Sequence, residues 1–479
     1  MSSLTPRRLP IVLTIVALLA AGGLADRAGR PAPAGAREQS PFAMPVAAPT
    51  SALSSTWYCA GGTSQLKGFA DGWLVLANSE DRTVHVVVTF IPNDPSIRPR
   101  HVPVDVKPLS QLTLHDFDYL QAQFVAATVE VRGGGVVAEH FVLGPGGASV
   151  APCASSASDR WYFADGGTTR DATELLALFN PFPEDAIVDL SFTTEAGGIE
   201  PEALQALVVP GRGLSVVNVG DHVVRRRAVS VSIVARSGRL VADRIQSYSG
   251  SAGRRGLALV LGTPSPGTLW YFPEGLVTKG VVERYQLYNP SDQEAKVELA
   301  LGLEKGAAEP FDLTVPGGGR ITVLANAEGR IPAEVPHSAT VRSVNGVGVV
   351  VERSIDATKP SPRRGLGSTL GARQSARRWL FAIGLATDTV DEWLVLQNPG
   401  THAATVSVTA LADGQQLAID GLQDVRLAPG RRMAFRLGDH LRRDPLPLLV
   451  TSTEPVVAER DLYTVGGLGM STVMGVPLR

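Results

Sequence analysis

Aromatic residues and cysteine are scarce in this chain of 479 residues: aromatics make up 6%, and the two cysteines are Cys59 and Cys153. The net charge is only -2, so no global electrostatic attraction draws the chain to nucleic acid, and no nucleic-acid partner is expected. The hydrophobic fraction of 44% is large enough to bury a core, which excludes wholesale disorder. At roughly 100–200 residues per domain, the length predicts about three to four domains.

The motifs that carry common enzyme chemistry are also missing. The eight histidines are scattered, and none belongs to an H-E-x-x-H motif or a close His/Cys cluster, so a zinc site has little support. No G-x-S-x-G elbow and no phosphate-binding G-x-x-x-x-G-K-[ST] loop occurs. The sequence therefore predicts no cofactor, no metal and no enzymatic activity.

Only one long apolar run is present, and it lies at the N-terminus. It extends from Ile11 to Ala25, after Arg7 and Arg8. A membrane-spanning helix needs about 20 residues, so this shorter run is typical of a secretory signal. Uncleaved, it would act as a signal anchor. Residues 1–25 thus predict export, with membrane attachment only through this segment. Residues 26–55, rich in Ala and Pro, are predicted to be a disordered spacer.

The rest of the chain contains four copies of one pattern. Each copy opens on a tryptophan, with a glycine five residues later, and the openings lie 104, 109 and 109 residues apart. An apolar strand ending in asparagine follows each opening after 21, 19, 19 and 19 residues, and an acid in a valine-rich strand follows that asparagine after 61, 63, 63 and 61. The tryptophans are Trp57, Trp161, Trp270 and Trp379; the glycines are Gly62, Gly166, Gly275 and Gly384; the asparagines are Asn78, Asn180, Asn289 and Asn398; the acids are Glu139, Asp243, Glu352 and Glu459.

Each copy has the pattern of a β-sandwich. Stretches such as V-H-V-V-V-T-F and A-T-V-S-V-T-A-L alternate with period two, and Pro-Gly, Gly-Gly and Asn-Pro pairs separate them. About 100 residues with seven to nine short strands is the size of an immunoglobulin-like domain. We therefore predict an all-β tandem array of four such modules, at residues 56–156, 157–265, 266–374 and 375–479. An extended array and a closed ring both remain open.

The openings W-Y-F-A-D-G and W-Y-F-P-E-G, followed by L-A-L-F-N-P and Y-Q-L-Y-N-P, lie at residues 161–181 and 270–290. This pattern resembles an actinobacterial family of secreted or membrane-anchored proteins with a domain of unknown function, whose members carry W-Y-F-A-E-G and L-L-x-N-P repeats. The resemblance covers residues 57–479. The first copy departs from the motif at Cys59 and Ser79, and the fourth at Leu380 and Ile383. The family implies an envelope location and this fold class, and no activity.

The repeated residues have a structural and a functional interpretation. A carboxylate in a valine-rich strand needs a partner when buried, and the candidates are backbone amides of the turn after the tryptophan, or arginine. Calcium binding between modules is the alternative for these acids. The repeated tryptophans are predicted to fill the core, or else to stack on sugars. Trp73 and Trp393 lie outside the repeat signature and are the better sugar-binding candidates. Five arginines between the third and fourth copies could contact anionic polymers or lipid head groups: Arg363, Arg364, Arg373, Arg377 and Arg378.

The two cysteines are predicted to form a disulfide. An exported chain enters an oxidising compartment. Cys59 lies in the opening strand of the first copy, where the others have phenylalanine, and Cys153 follows its closing strand. The first and last strands of a sandwich can be adjacent, so the two sulfurs could meet. Two unrelated buried thiols are the alternative.

These features predict a non-catalytic, exported protein of the cell envelope with a structural or binding role. Its expected partners are envelope proteins or cell-wall polymers. The alternative function is carbohydrate binding, or carbohydrate-active chemistry, at the cell wall.

Overall fold

The computed structural model describes residues 43–65, 67–303 and 308–479. These residues are nearly all β, arranged in several open antiparallel sheets with one short α-helix among the described elements. The predicted all-β class is confirmed. The predicted signal or anchor segment, residues 1–25, lies outside the described residues, as does the first part of the predicted spacer. Within the described ranges no helix combines the length and apolarity needed to cross a membrane.

The elements follow the four repeat copies. The first copy contains β1 (Ser55–Cys59), β2 (Asp71–Asn78), β3 (Val84–Pro92), β4 (Arg100–Val106), β5 (Ser110–His115), α1 (Asp116–Tyr119), β6 (Val125–Val131), β7 (Val136–Gly144) and β8 (Gly147–Pro152). The second contains β9 (Arg160–Phe163), β10 (Ala172–Asn180), β11 (Ala186–Thr194), β12 (Gly197–Ile199), β13 (Leu207–Val209), β14 (Gly213–Asn218), β15 (Val229–Ser237), β16 (Val241–Ser249) and β17 (Arg255–Leu261).

The third copy contains β18 (Leu269–Phe272), β19 (Val281–Tyr288), β20 (Ala295–Leu303), β21 (Phe311–Val315), β22 (Arg320–Leu324), β23 (His337–Ser343), β24 (Val350–Ala357) and β25 (Gly365–Leu370). The fourth contains β26 (Ala376–Phe381), β27 (Val390–Gln397), β28 (Ala404–Ala412), β29 (Gln415–Ala418), β30 (Val425–Leu427), β31 (Arg432–Arg436), β32 (Leu448–Thr464), β33 (Met470–Met474) and β34 (Val476–Pro477). Short 3₁₀ turns lie at Glu202–Leu204, Val219–Asp221, Ala325–Ala327 and Leu437–Asp439.

Strand pairing follows the same order in successive copies. In the first, one sheet has the order β1-β6-β3-β4 and the other the order β5-β2-β7-β8; in the third, the orders are β18-β23-β20-β21 and β22-β19-β24-β25. The second copy repeats this pairing, with β12 and β13 both beside β11. In the fourth copy the long strand β32 belongs to both sheets, pairing with β26 and β28 first and with β27 and β33 later. Burial alternates along strands such as β28, as expected when one face covers a core.

The repeated tryptophans connect the two sheets of each copy. Their side chains are at most 2% exposed. Each indole N–H donates to a backbone carbonyl on or just before the acid-bearing strand, three residues before the repeated acid: Val136, Leu240, Val349 and Val456, at 2.8–3.1 Å. A buried indole N–H needs such a partner. The tryptophans thus fix the start of each copy against its acid-bearing strand.

The repeated asparagines organise a hairpin turn. The amide nitrogen of Asn398 donates to the carbonyls of His402 and Leu427, and its carbonyl accepts from the backbone N–H of Gly400. Asn78, Asn180 and Asn289 make equivalent contacts. An asparagine can satisfy a turn in this way because its side chain both donates and accepts.

The last full strand of each copy lies in a closed cycle. Strand β8 contacts β17, β17 contacts β25, β25 contacts β33, and β33 contacts β8. Side chains join neighbours: the hydroxyl of Ser149 in β8 accepts from the backbone N–H of Leu259 in β17, and Ser471 in β33 does so for Val150. The approach is close, since a Cβ on Gly256 would lie 2.4 Å from the backbone nitrogen of Leu366. Between the predicted alternatives, this arrangement is the closed one.

The first and last described segments of the chain meet at the junction of the fourth and first copies. The backbone N–H of Ala47 donates to the carbonyl of Pro477, and Ala47 forms a parallel bridge with Leu478. Ala43 and Ala47 are buried. The later part of the predicted spacer is therefore packed against the fold where the structure describes it, because small apolar residues fill the seam between the two copies.

Candidate functional site

The repeated acids lie at the junctions between copies. All four are fully buried. Each accepts a hydrogen bond from the turn that follows the tryptophan of the preceding copy in the cycle. Ala60 donates to Asp243 at 2.8 Å, Asp165 to Glu352 at 3.0 Å, Glu274 to Glu459 at 3.1 Å and Ile383 to Glu139 at 2.8 Å, each through its backbone N–H. The acids therefore link different copies, and the last of these bonds closes the cycle.

A basic residue directly follows each acid in the sequence and pairs with the acid of the next copy. Arg244 binds Glu352, Arg353 binds Glu459, and Arg460 binds Glu139 at 3.2 Å. The first copy has His140 at this position, 3.4 Å from Asp243. Successive side chains of a strand point to opposite faces, so each acid–base dipeptide can contact one neighbour through its acid and the other through its base.

The charge state of these junctions is set by burial. Burial raises the pKa of Glu139 and Glu459, and the neighbouring arginines only partly oppose that rise. Burial raises the pKa of Asp243 to about 7 and lowers that of His140 to about 4. Three junctions thus contain arginine–glutamate pairs, whereas the junction of the first and second copies contains a weakly charged histidine–aspartate pair.

A second set of buried carboxyls lies beside the first, six residues before the repeated asparagines. They are Glu174, Glu283 and Glu392, and all are 0% exposed. Burial raises the pKa of Glu174 and of Glu392 to about 8. The sequence analysis missed this set, although a glutamate at one spacing in three copies was a signal that could have found it.

Close neighbours explain the glycine that follows the tryptophan in the second, third and fourth copies. A Cβ on Gly166 would lie 2.4 Å from an oxygen of Glu174. A Cβ on Gly275 would lie 2.5 Å from His337 and 2.9 Å from Glu283, and one on Gly384 would lie 2.0 Å from the carbonyl oxygen of Leu446 and 3.0 Å from Glu392. In the first copy the glutamate is replaced by Gly72, and the carboxyl of Asp116 fills the space, 2.5 Å from where a Gly72 Cβ would be. Burial raises the pKa of Asp116 to about 8 as well. A carboxyl thus lies at this place in every copy.

Two polar clefts open beside these junctions. The third–fourth cleft, of about 290 Å³, is lined by Glu274, Trp393, Arg432, Asp461 and Tyr463 among others. Glu274 is paired with Arg432. Burial, and then the nearby Glu459 and Glu274, raise the pKa of Asp461 well above its ordinary value.

The second–third cleft is larger, about 460 Å³, and is rich in arginine. It is lined by Arg227, Arg254, Arg284 and Arg320, together with Asp165 and Asp171. Both clefts place the turn region of one copy opposite the sheet of the next. They are therefore formed only when the copies are joined.

Comparison with family models matches the chain at residues 144–256 and 245–470, to a family described as Family of unknown function (DUF5719). Together the two matches cover more than half of the chain. The chain belongs to this family. The matched range includes the junctions of the second, third and fourth copies. The prediction of a domain-of-unknown-function family is confirmed, while its actinobacterial and secreted character stays a prediction.

The other comparisons add little to the family. No curated protein matches the chain. A Thermotoga maritima protein, 1070, is similar at 23% identity over 22% of this chain and 95% of its own, with a TM-score of 0.21. The Anabaena sensory rhodopsin transducer is similar at 26% identity over 19% of this chain and 83% of its own, with a TM-score of 0.17. A Streptomyces avermitilis α-L-rhamnosidase, solved with L-rhamnose, is similar at 10% identity over 70% of this chain and 47% of its own, with a TM-score of 0.14. These TM-scores support no argument about function.

The predicted disulfide is present in this member of the family. Cys59 and Cys153 are bonded, with their Cα atoms 4.7 Å apart. Both are buried, and Cys59 occupies the place that Phe163, Phe272 and Phe381 take in the other copies. The bridge is supported by backbone bonds between Tyr58 and Ala154.

The two additional tryptophans occupy equivalent positions with different neighbours. Trp73 is stacked between His115, with ring centroids 4.0 Å apart, and Phe141, at 5.5 Å. Trp393 lines the third–fourth cleft, with the guanidinium of Arg363 5.0 Å from its ring. Both are half-buried. Of the two, only Trp393 lines one of the two clefts described above.

The arginines between the third and fourth copies are dispersed. Arg363 lies 3.9 Å from the centroid of the Tyr463 ring, and Arg373 is buried against Trp270. Arg364 donates to the carbonyl of Gly466, and Arg377 pairs with Glu454. These four side chains make contacts within the fold, so the structure does not bring the five arginines together as one basic surface.

In the part of the chain that the structure describes, no three His, Cys, Asp or Glu side chains are grouped so that they could hold a metal ion.

Proposed function

We propose that the protein is a non-catalytic, exported component of the cell envelope, in which four immunoglobulin-like β-sandwich modules close into a ring. In this proposal the four repeat copies are the modules. Their repeated acids hold the ring together, and the clefts between modules bind envelope polymers or proteins.

The observation that carries the proposal is the use made of the repeated acids. Each acid accepts a hydrogen bond from a backbone N–H of a neighbouring module, and a basic side chain of that same neighbour faces it. A carboxylate engaged in this way is not available as a general acid or base for a substrate. The most regular chemical groups of the sequence thus have a structural task in all four copies.

Export is supported by the sequence and by the disulfide. Arg7 and Arg8 followed by the apolar run from Ile11 to Ala25 are typical of a secretion signal. A buried disulfide between Cys59 and Cys153 agrees with an oxidising compartment, since such bonds are rare in reducing ones.

Carbohydrate binding is the second candidate, and the third–fourth cleft favours it. Trp393 and Tyr463 supply aromatic surface there, and Glu274, Arg432 and Asp461 supply planar polar groups. Carboxylates in a cleft also fit a carbohydrate-active enzyme. The pairing of Glu274 with Arg432 argues for binding rather than catalysis.

Binding of the full exported chain to purified cell-wall glycan and to envelope membrane proteins would test the proposal. Bound fractions are assayed for glycan cleavage in parallel. We expect binding without release of reducing ends. Trp393→Ala should weaken glycan binding, whereas Trp73→Ala, the equivalent position packed between His115 and Phe141, should not. Cleavage that is lost in Asp461→Asn would establish the enzyme instead.

A further inference from the structure

We propose that the second–third cleft and the arginines along its edge bind an acidic polysaccharide, one that carries carboxylate or phosphate groups. This inference rests on the proposed function, because it names the ligand class of that binding protein. It starts from a basic surface on the second copy whose arginines are unpaired, whereas the corresponding arginines of the fourth copy are paired with acids.

The edge of the cleft is formed by two adjacent segments. Arg170 lies between the cleft residues Thr169 and Asp171, and Arg225 and Arg226 precede the cleft residue Arg227. Backbone hydrogen bonds join the two segments: Thr168 donates to Arg226 at 2.8 Å, and Arg225 donates to Thr168 at 3.0 Å. Arg170, Arg225 and Arg227 are exposed, and Arg226 is half-buried. We call Arg170, Arg225, Arg226 and Arg227 the arginine rim.

The arginine rim has no ion-pair partner. Across the described ranges, no carboxylate oxygen lies within 4.0 Å of a rim guanidinium. Glu195, in the turn between β11 and β12, accepts from the backbone N–H groups of Arg227 and Ala228, and the positive charge of Arg226 helps to lower its pKa. It is one acid against the four arginines of the rim. Asp221 accepts from the side chain of Asn218. The rim is therefore a site of excess positive charge.

The fourth copy shows what a neutralised version of this surface looks like. Both copies share G-D-H, at residues 220–222 and 438–440, followed by arginines. In the fourth copy Arg442 pairs with Asp388, and Arg443 pairs with Asp413 at 2.7 Å. Asp388 lies nine residues after Trp379; the residue nine after Trp161 is Arg170. The second copy thus replaces a neutralising acid by a further cation.

The cleft behind the rim offers hydrogen-bonding groups suited to a sugar chain. Arg254 and Arg284 are both paired with Asp356, and the terminal nitrogen of Arg254 that makes no hydrogen bond lies 3.9 Å from a carboxylate oxygen of Asp165. Arg320 donates to the hydroxyl of Ser230 at 3.0 Å. Tyr248, Gln286 and Thr322 complete the lining. Guanidinium groups bind carboxylate and phosphate with two parallel hydrogen bonds, and the amide and hydroxyl groups can bind sugar hydroxyls.

The shape of the site favours a polymer chain over a membrane. The rim borders a concave space of about 460 Å³ between two copies, which a chain can enter and a flat bilayer surface cannot. An acidic polysaccharide can place charged groups on the rim and its sugar rings in the cleft. Carboxylate and phosphate groups would bind the arginines in the same way, so the structure does not distinguish them. The experiment therefore tests a polymer of each kind.

The test measures binding of the full chain by titration calorimetry to polygalacturonate, to poly(glycerol phosphate) and to neutral dextran. The variant is R225Q/R226Q/R227Q, and the matched control is R442Q/R443Q in the fourth copy. We expect at least one acidic polymer to bind, with affinity falling as salt rises, and the triple variant to bind about tenfold more weakly. The control should bind as the unchanged protein does. Equal melting temperatures show that the rim variant is folded.

Three results would overturn the inference: no binding to either acidic polymer, equal affinity of the triple variant and the unchanged protein, or tighter binding to phosphatidylglycerol vesicles than to the polymers. Binding to neutral wall glycan with no preference for acidic polymers would refute this inference and leave the proposed function intact. Absence of binding to every envelope fraction would refute both.

Discussion

The imidazole of His140 lies 3.4 Å from the carboxylate of Asp243, where the other three junctions each hold an arginine and a glutamate. One junction of the cycle is therefore built from a different pair. A neutral imidazole does not need an ionised acid beside it. A buried guanidinium does, because a buried charge without a counter-charge is strongly destabilising.

This difference predicts that replacing the acid by its neutral amide has little effect on stability at the His140–Asp243 junction and a large effect at an arginine–glutamate junction. Asp243→Asn should change the free energy of unfolding by less than about 1 kcal/mol, since the amide oxygen can still accept the N–H of Ala60. Glu459→Gln should cost about 3–5 kcal/mol, since it removes the carboxylate that is paired with the buried guanidinium of Arg353. Urea denaturation at pH 7 measures both. Equal losses would mean that the two junctions are equivalent.

Glu352→Ala tests the junction of the second and third copies. Glu352 accepts from Arg244, from the backbone of Ala164 and Asp165, and from Ser368. Its removal should lower the melting temperature markedly, because several buried donors lose their acceptor. The measurement is repeated with added calcium. If calcium raises the melting temperature of the unchanged protein and not of the variant, the acid is a metal ligand.

Glu392→Gln should stabilise the protein at alkaline pH. Burial raises the pKa of Glu392 to about 8, so its contribution to stability is fully present below the ordinary carboxyl pKa and is lost as the pH rises through 8. The neutral amide avoids this loss. We expect a gain of at least about 1 kcal/mol at pH 9 and almost none at pH 4.5, by thermal unfolding at both pH values.

Glu283→Gln is the matched control and should have the opposite sign. Burial alone would raise the pKa of Glu283, but His337, whose imidazole is 3.2 Å away, together with Arg353 and the hydroxyl of Tyr285, outweighs it and the pKa is lowered. Such a carboxylate stabilises the fold above its ordinary pKa, and the contribution falls as the pH falls. The substitution should therefore destabilise the protein at pH 8, and less so at pH 4. A gain at pH 8 would contradict the assigned electrostatics.

Removal of the disulfide tests how far the first copy depends on it. Cys59 and Cys153 are 94 residues apart in sequence, and closing a loop of that size is worth about 4–5 kcal/mol in the chain-entropy model. Cys59→Ala with Cys153→Ala should lower the free energy of unfolding by that order. A reducing agent should destabilise the unchanged protein and have no effect on the double variant. Insensitivity of both would show that the sandwich alone holds the first copy.

The sequence by itself determined the repeat, the all-β class and the disulfide. Period-two alternation is a pattern of adjacent residues, so strands such as β28 can be predicted from their own sequence. The tryptophan and asparagine spacings are local as well, because each residue works within one copy. The disulfide followed from there being only two cysteines, which leaves one possible pair.

Only the tertiary structure decided which copy each acid serves. Because the four copies have similar sequences and similar spacings between their landmarks, the sequence does not tell whether Glu352 contacts the turn after Trp161, Trp270 or Trp379. The choice depends on how the copies turn around the final strands β8, β17, β25 and β33, which no local pattern encodes. The charge of the arginine rim is decided in the same way, because an arginine is free or neutralised only by what the fold places beside it: Asp388 beside Arg442 in the fourth copy, and Arg170 at the equivalent position in the second.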